Sequence, residues 1–503
     1  MNRKPLTQAL IGLTLLSVAS HASALSGPKY VFFFLGDGMS ASQIQATEAY
    51  LTTANGGDAM VAEDLQQPEN RLNMSKMSVL GMQTTYDAYA LMTDSASSAT
   101  AFATGVKTQS GTIGMTPDLT QSVKSVAELA HEAGRRVAVL SSVSLNHATP
   151  AAYYASVPNR GDYYGIAEQL ADSGYEFFGG GGLNKSDQAL MDYVAAQGYT
   201  VLNDRTSILN LIQDPMDKVV AINPVLPTSS AMPYAIDKPA ENLSLAEMTE
   251  VGLATLCEGY NRWGRCKSGE PFFMMVEGGK IDWACHANDA MATIGDMRDF
   301  DDAVAVALKF QKRHPLQTLI VVTGDHETGG MTVGHATTGY KAYYERLLDQ
   351  EHSFEHFDMN VWPDHQAKYE DGYDWGQHNN LASNPEMVTF LADEFGLVWD
   401  ELNTDQQIKL EDAYDKSMVG ENNNTADENK LLYGGYNPIT VTITHILNEE
   451  ASIGWTSYSH TGVPVPVFAE GREAIRFAGF YDNTDIAKRL AKAMDLPSLP
   501  VYK

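Results

Sequence analysis

The chain has 503 residues, 44% of them hydrophobic, and a formal net charge of −29. That is ample material for a large buried core, and α/β enzymes of this length often run as one domain with insertions. An acid excess of this size repels nucleic-acid backbones and anionic membranes, so neither is an expected partner.

Arg3 and Lys4 open the chain, an apolar stretch follows from about Ala9 to Ala19, and Ala22-Ser23-Ala24 supplies small residues. This is the pattern of a secretory signal covering residues 1–24. Its apolar run is too short to span a bilayer comfortably. The expectation is a soluble protein in the periplasm or outside the cell, two charges more acidic once Arg3 and Lys4 are removed. Plain solubility and life in high salt both account for such a surface, since screening removes the self-repulsion of dense carboxylates.

Four short apolar runs follow: Tyr30 to Leu35, Arg136 to Leu140, Phe272 to Val276 and Leu319 to Val322. Each is rich in β-branched or aromatic residues and ends at Gly, Ser or an acid, as fully buried parallel strands do. Helical patterns lie between them, at Ser125 to Ala133 and from about Asp289 to Lys312. The alternation predicts an α/β fold, with a mainly parallel central β-sheet flanked by helices on both faces. Polar reactive residues sit just past these runs: Asp37, then Asn146, His147 and Thr149, then Glu277, then Asp325 and His326. In open parallel sheets the ligand crevice lies outside the carboxyl ends of the strands. Four distant segments therefore deliver side chains to one edge. Such a carboxylate-rich, histidine-containing site repels itself unless cations are present.

Ser95 lies in Thr93-Asp94-Ser95-Ala96-Ser97-Ser98, where Asp94 can cap a helix of small residues. The amides of a helix start suit a phosphate, and a nearby zinc can activate the hydroxyl. A small-residue helix packed on a neighbour explains the same residues, and the local sequence leaves both open. Asp282 and His286 are four apart, so in a helix they share a face and can hold one zinc. Asp325 and His326 are adjacent and reach one site only from a strand end or turn. His460, near the C-terminus, can close a coordination sphere.

Of the three cysteines, Cys257 and Cys266 flank a short polar loop and can pair. Cys285, beside His286, reads as a buried, inert thiol. Residues from about 335 to 453 break the strand–helix rhythm and read as an insertion: a lid, a dimer clasp or a surface elaboration. Within it, Glu421 to Asp427 reads as an exposed loop. His352, His356, His365 and His378 follow no fixed ligand spacing and read as surface histidines rather than an extra metal site.

Leu35-Gly36-Asp37-Gly38-Met39, Asp94-Ser95-Ala96, His147-Ala148-Thr149-Pro150, Val276-Glu277-Gly278-Gly279, Asp282-x-x-x-His286, Thr323-Gly324-Asp325-His326-Glu327 and His460-Thr461-Gly462 together resemble the ordered signature blocks of alkaline phosphatases. The resemblance runs from Asp37 to His460 and leaves the insertion uncovered. It implies hydrolysis of small phosphate monoesters through a phosphoserine on Ser95, with two zinc ions and one magnesium ion. Asp282, His286 and His460 match the first zinc's ligands, and Asp37, Asp325 and His326 the second's. Asp37, Thr149 and Glu277 match the magnesium ligands, and Arg160 matches the arginine that grips the substrate phosphate. His147 and Trp283 stand where some members have aspartate and lysine, which implies weaker magnesium binding and faster phosphate release. A homodimer is the family's usual state. A sulfatase would need a Cys/Ser-x-Pro-x-Arg context, and Ser95-Ala96-Ser97-Ser98 lacks it. A phosphodiesterase of this superfamily usually carries a threonine nucleophile and no third metal, so Thr149, Glu277 and Arg160 favour a monoesterase.

Overall fold

The computed structural model describes residues 27–420 and 423–503. The leader expected at residues 1–24 lies outside them. The ten strands of the central sheet are, in chain order, β1 (Tyr30–Gly36), β2 (Val79–Gln83), β3 (Arg136–Ser141), β4 (Phe177–Gly180), β5 (Thr200–Leu202), β6 (Val219–Ile222), β7 (Phe272–Gly278), β8 (Thr318–Gly324), β9 (Val465–Gly471) and β10 (Gly479–Tyr481). Across the sheet they run β10-β2-β9-β8-β1-β7-β3-β4-β6-β5. Every neighbouring pair is parallel except the two that β9 makes, with β8 and β2. The four apolar runs are thus the four adjacent strands β8-β1-β7-β3 at the sheet's middle. Fully buried on both faces, they need no polar alternation.

Alternate side chains of β1 enter two separate cores. Val31, Phe33 and Leu35 pack on one face with the Ser95–Thr104, Val126–Glu132 and Thr484–Ala493 helices. Tyr30, Phe32 and Phe34 pack on the other with the Leu245–Leu256 and Ala290–Arg313 helices. The sheet is therefore covered on both sides, as the pattern predicted. Ser125 begins its helix with a capping box to Glu128, which explains why the apolar period starts there.

The segment expected to be an insertion is bounded by a small ribbon, where Thr332–Val333 pairs antiparallel with Ile453–Gly454. Between these ends the described residues are mostly helical and build their own apolar cluster around Phe357, Trp362, Leu391, Tyr414 and Ile443. That cluster seats on the core through Tyr50, Met291 and Ile294. Two expectations need correction here. Glu421 and Asn422 lie outside the described residues, but Ala426 and Asp427 are not loop: they open the Ala426–Tyr433 helix, capped by Thr425 and Glu428. His365 is not a surface residue either; it is buried, with Nε2 2.8 Å from the Tyr414 hydroxyl. Cys257 and Cys266 are joined in a disulfide, and Cys285 is free and buried. Burial pushes the Cys285 thiol well up, consistent with an inert packing role.

Candidate metal centre

Strand register brings the reactive residues to one edge. Gly36 lies level with both Gly278 and Gly324, and Ser141 with Glu277. Asp37 and Asp325 therefore leave neighbouring strands side by side, with Glu277 next along. The turn after β1 works only with glycine. Gly38 has φ 74°, and a Cβ there would lie 2.8 Å from the Asp282 Cα. Its amide donates to Asp325 Oδ1 at 3.2 Å. His460 arrives separately: His460–Thr461 pairs antiparallel with Glu327–Thr328, so His460 faces Thr328 across the ladder.

The result is two overlapping clusters, Asp37-Asp325-His326 and Asp282-His326-His460, with ligand atoms within 4.8 Å of one another in each. His326 Nε2 is 3.3 Å from both Asp37 Oδ1 and Asp325 Oδ2. His286 Nε2 is 3.3 Å from Asp282 Oδ2 and 3.1 Å from His460 Nε2, and His460 Nε2 is 3.5 Å from Asp282 Oδ1.

What the opposite ring nitrogens touch decides which atoms are lone pairs. His286 Nδ1 lies 2.6 Å from the Tyr458 carbonyl, and His460 Nδ1 2.7 Å from the Thr93 carbonyl. A carbonyl only accepts, so both Nδ1 atoms carry the proton. The Thr328 hydroxyl donates to Asp282 Oδ1 at 2.5 Å, so it must accept from His326 Nδ1 at 3.2 Å. In their neutral forms all three rings therefore aim an Nε2 lone pair into a space already lined by carboxylate oxygens. Asp37 Oδ1, His326 Nε2 and Glu277 Oε1 are buried there without any hydrogen-bond partner. With the rings neutral, acceptors 3.1–3.5 Å apart repel, and a proton on His286 or bound cations relieve this. Three imidazoles with carboxylates suit zinc; the oxygen-only set Asp37, Thr149 and Glu277 suits a hard ion such as magnesium.

The charges respond as such a site should. Burial first, then the charges of Asp325, Asp282 and Glu277, hold Asp37 well above the carboxylate range. Burial pushes Asp325 up to about 6. Burial outweighs the Ser141 hydrogen bond and, with the Asp325 charge, takes Glu277 to about 8. Asp282 goes the other way: burial opposes its charge, but His286 and then His460 outweigh that and hold it well below the usual range. Against burial, Asp282 lifts His286 to about 9, a mark of how strongly this gap attracts a cation. Burial and the neighbouring His460 keep His326 neutral.

Ser95 is the first residue of the Ser95–Thr104 helix and is buried. Its N-cap, Asp94, accepts from the Ser97 amide at 2.9 Å and the Gly111 amide at 3.0 Å, which fixes the helix start. Asp94 also holds Arg160, whose Nη1 is 2.9 Å from Oδ2, while Arg160 Nη2 meets His147 Nε2 at 3.0 Å. Burial and the arginine charge drive His147 down to about 3, so it is neutral and accepts from the guanidinium. The Trp283 ring stands edge-on to His147, with centroids 5.8 Å apart. Thr149 Oγ1 is 3.4 Å from Asp37 Oδ2. Asn146 is not part of this set: its amide nitrogen donates to the Tyr163 and Asn184 carbonyls and staples loops together.

Three further residues hold the candidate ligands in place. Ser98 Oγ donates to Asp325 Oδ2 at 2.7 Å, the Ser141 hydroxyl donates to Glu277, and Thr328 links Asp282 to His326. Ser98 had a signal, since it follows Ser95 by one helical turn. Thr328 had a weaker one, two residues after His326.

The sequence matches the family model for alkaline phosphatase over residues 28–178 and 166–496. The chain belongs to the alkaline phosphatase family. It is 30% identical to alkaline phosphatase 3 of Bacillus subtilis over 478 residues, which is 93% of this chain and 89% of that protein. The cold-active alkaline phosphatase of a psychrophilic Shewanella shares its fold with a TM-score of 0.70 and 26% identity, covering 92% of this chain and 99% of that one. A variant of the TAB5 alkaline phosphatase, from an Antarctic bacterium, also matches, with TM-score 0.60 and 25% identity over 94% of this chain and all of that one. In that variant a histidine is replaced by aspartate, and magnesium is bound in the M3 site. As an alkaline phosphatase, the chain is a metal-dependent phosphate-monoester hydrolase, and the paired clusters at the sheet edge are its candidate metal sites. Among the described residues no helix is long and apolar enough to cross a membrane.

Proposed function

We propose that Ser95 is the nucleophile, with two zinc ions and one magnesium ion held by the sets the family pattern implies. The first zinc takes Asp282, His286 and His460, and the second takes Asp37, Asp325 and His326. Magnesium takes Asp37, Thr149 and Glu277. The observation that carries this is the convergence of three Nε2 lone pairs with unpartnered carboxylate oxygens. When bound, a zinc pair supplies Lewis acidity to the attacking and departing oxygens of an in-line displacement. Ser95 Oγ, its proton lost to solvent, attacks phosphorus as the bond to the leaving oxygen breaks; that oxygen takes a proton from water and departs as the alcohol, leaving phosphoserine. Water then attacks from the vacated side and releases phosphate and Ser95. Arg160 grips two phosphoryl oxygens with its planar fork, already oriented by Asp94 and His147. The amides at the start of the Ser95 helix add positive charge on the same side.

The leader at residues 1–24 directs the protein to the periplasm or the medium. Residues 25–503 form one catalytic domain, with an insertion at about 335–453, supported by the ribbon at the insertion's ends. An exposed apolar strip at the sheet edge, with Leu80, Ile475 and Phe480, supports a homodimer. The net charge supports adaptation to salt, which requires activity and thermal midpoint to rise with added salt. The deciding test of the mechanism is hydrolysis of a chromogenic phosphate monoester at alkaline pH, with and without chelator. Ser95→Ala should lower kcat by ~10³-fold or more while keeping its metals. Wild-type activity that survived complete metal removal would overturn the assignment.

A further inference from the structure

Among the described residues, one further group of imidazole and carboxylate side chains is tight enough for a cation: Asp237, His352 and His356, with ligand atoms within 4.8 Å of one another. Asp237 ends the Ala235–Asp237 turn of the catalytic body. The histidines belong to the insertion: His352 precedes the short Phe354–His356 helix and His356 ends it, so the cluster spans the seam between the two.

The hydrogen bonds around the cluster are incomplete in a specific way. Asp237 Oδ1 is oriented by the Ser353 amide at 3.0 Å. His352 Nδ1 lies 3.6 Å from that oxygen, too far for a hydrogen bond, and is enclosed without any partner. On the other side of the ring, Nε2 is 3.4 Å from Glu394 Oε2, which is also enclosed and unpartnered. Glu394 is an acceptor, so it favours the proton on Nε2 and leaves the Nδ1 lone pair facing Asp237. A carboxylate behind a histidine whose other nitrogen is free is the arrangement that supports metal-bound imidazole. The His356 ring lies over His352, with centroids 4.0 Å apart and planes 12° apart, so a modest splay of the two rings brings both nitrogens toward one point.

We propose that Asp237, His352 and His356 bind a zinc ion that fastens the insertion to the catalytic body, with Glu394 holding His352 from behind. Two imidazoles and one carboxylate form a borderline-soft set of three, and water completes a tetrahedron. The seam leads to the catalytic helix. Glu355, between the two histidines, pairs at 3.2 Å with Lys280 Nζ, which is fully buried and begins the helix carrying Asp282 and His286.

The test is the metal content of the full-length protein. Wild type, His352→Ala and His356→Gln are equilibrated with micromolar zinc, gel-filtered and analysed by elemental mass spectrometry. Each variant should hold one zinc equivalent per chain fewer than wild type, with phosphatase activity and magnesium content unchanged. Glu394→Gln should keep that equivalent but release it to about tenfold less chelator. Equal zinc content in wild type and both histidine variants overturns the proposal. So does a loss that takes activity and magnesium with it, because the effect would then be on the fold or the catalytic ions. If His352→Ala fails to fold, His356→Gln, at a half-exposed position, decides the matter by the same count.

Discussion

Replacing Thr328 by valine removes one buried hydroxyl that holds two ligands at once. The hydroxyl donates to Asp282 and accepts from His326 Nδ1. Valine keeps the branched shape, so packing is nearly preserved and the chemistry of the hydroxyl is isolated. Two things are lost. Asp282 Oδ1 loses a charge-assisted bond of ~1.5–3 kcal/mol, and His326 Nδ1–H loses its only partner. The second loss matters more, because the ring can then move its proton to Nε2, where Asp37 Oδ1 and Asp325 Oδ2 already stand at 3.3 Å. A ligand in that tautomer has no lone pair to offer. At ~1.4 kcal/mol per tenfold, zinc affinity should fall about 10–100-fold at the clusters His326 and Asp282 serve. The assay is competition for zinc against a chromophoric chelator, run beside activity as a function of free zinc. Activity should return when zinc is raised. A half-activation point within about twofold of wild type would refute the tautomer argument. So would a loss that saturating zinc fails to restore, since the hydroxyl would then act on the chemistry rather than on ligand orientation.

Other perturbations test neighbouring parts of the same reasoning. His147→Asp puts a charge beside Arg160 where a neutral ring now stands, and should strengthen magnesium dependence and phosphate inhibition; no change in either counts against the role given to His147. Gly38→Ala forces a Cβ into the Asp282 backbone at a left-handed position, and should lower both zinc retention and kcat by about 10²-fold; a fully loaded, active variant would show that the turn can yield. Asp301 tests linkage away from the metals. Burial lifts its pKa from 3.8 to about 6 despite hydrogen bonds from Asn73 and Met74. The native state then holds the proton more tightly than the unfolded chain, so this stability is full below about pH 4 and is lost as pH rises through about 6. Asp301→Asn has no proton to lose. Urea unfolding should find the wild type's advantage over the variant shrinking between about pH 4.5 and about pH 7, by at most ~3 kcal/mol. Parallel stability curves would reject the assignment.

The middle of the sheet was legible because its strands are buried on both faces. Phe272 to Val276 reads as strand without any alternation to decode. The outer strands were not. Thr200–Leu202 has three residues, Phe177–Gly180 ends in two glycines, and the antiparallel β9 carries Pro466. The Ala426–Tyr433 helix was hidden behind a run of asparagines, although Thr425-x-x-Glu428 is a capping box in plain view. His352 and His356 are four apart, the same spacing that marked Asp282 and His286. Without a strand end to anchor them, that spacing had nothing to converge on, and Asp237 is more than a hundred residues away.

The orientation of the ligands was the least legible part, and the reason is physical. The groups that set the tautomers are mostly backbone carbonyls, Thr93 for His460 and Tyr458 for His286. Any residue type offers a carbonyl, so no sequence pattern marks these two. The same carbonyls bind the site to the fold. Tyr458 and His460 belong to the segment whose pairing with Glu327–Thr328 brings the last histidine to the edge of the sheet. The strand ends can present Asp37, Asp325 and His326 once β1 and β8 are paired, but Asp282 and His286 stay incomplete until that C-terminal segment docks. Under the proposed assignment, a zinc ion held by Asp282, His286 and His460 draws ligands from both segments, so its binding free energy would add to the stability of their docking.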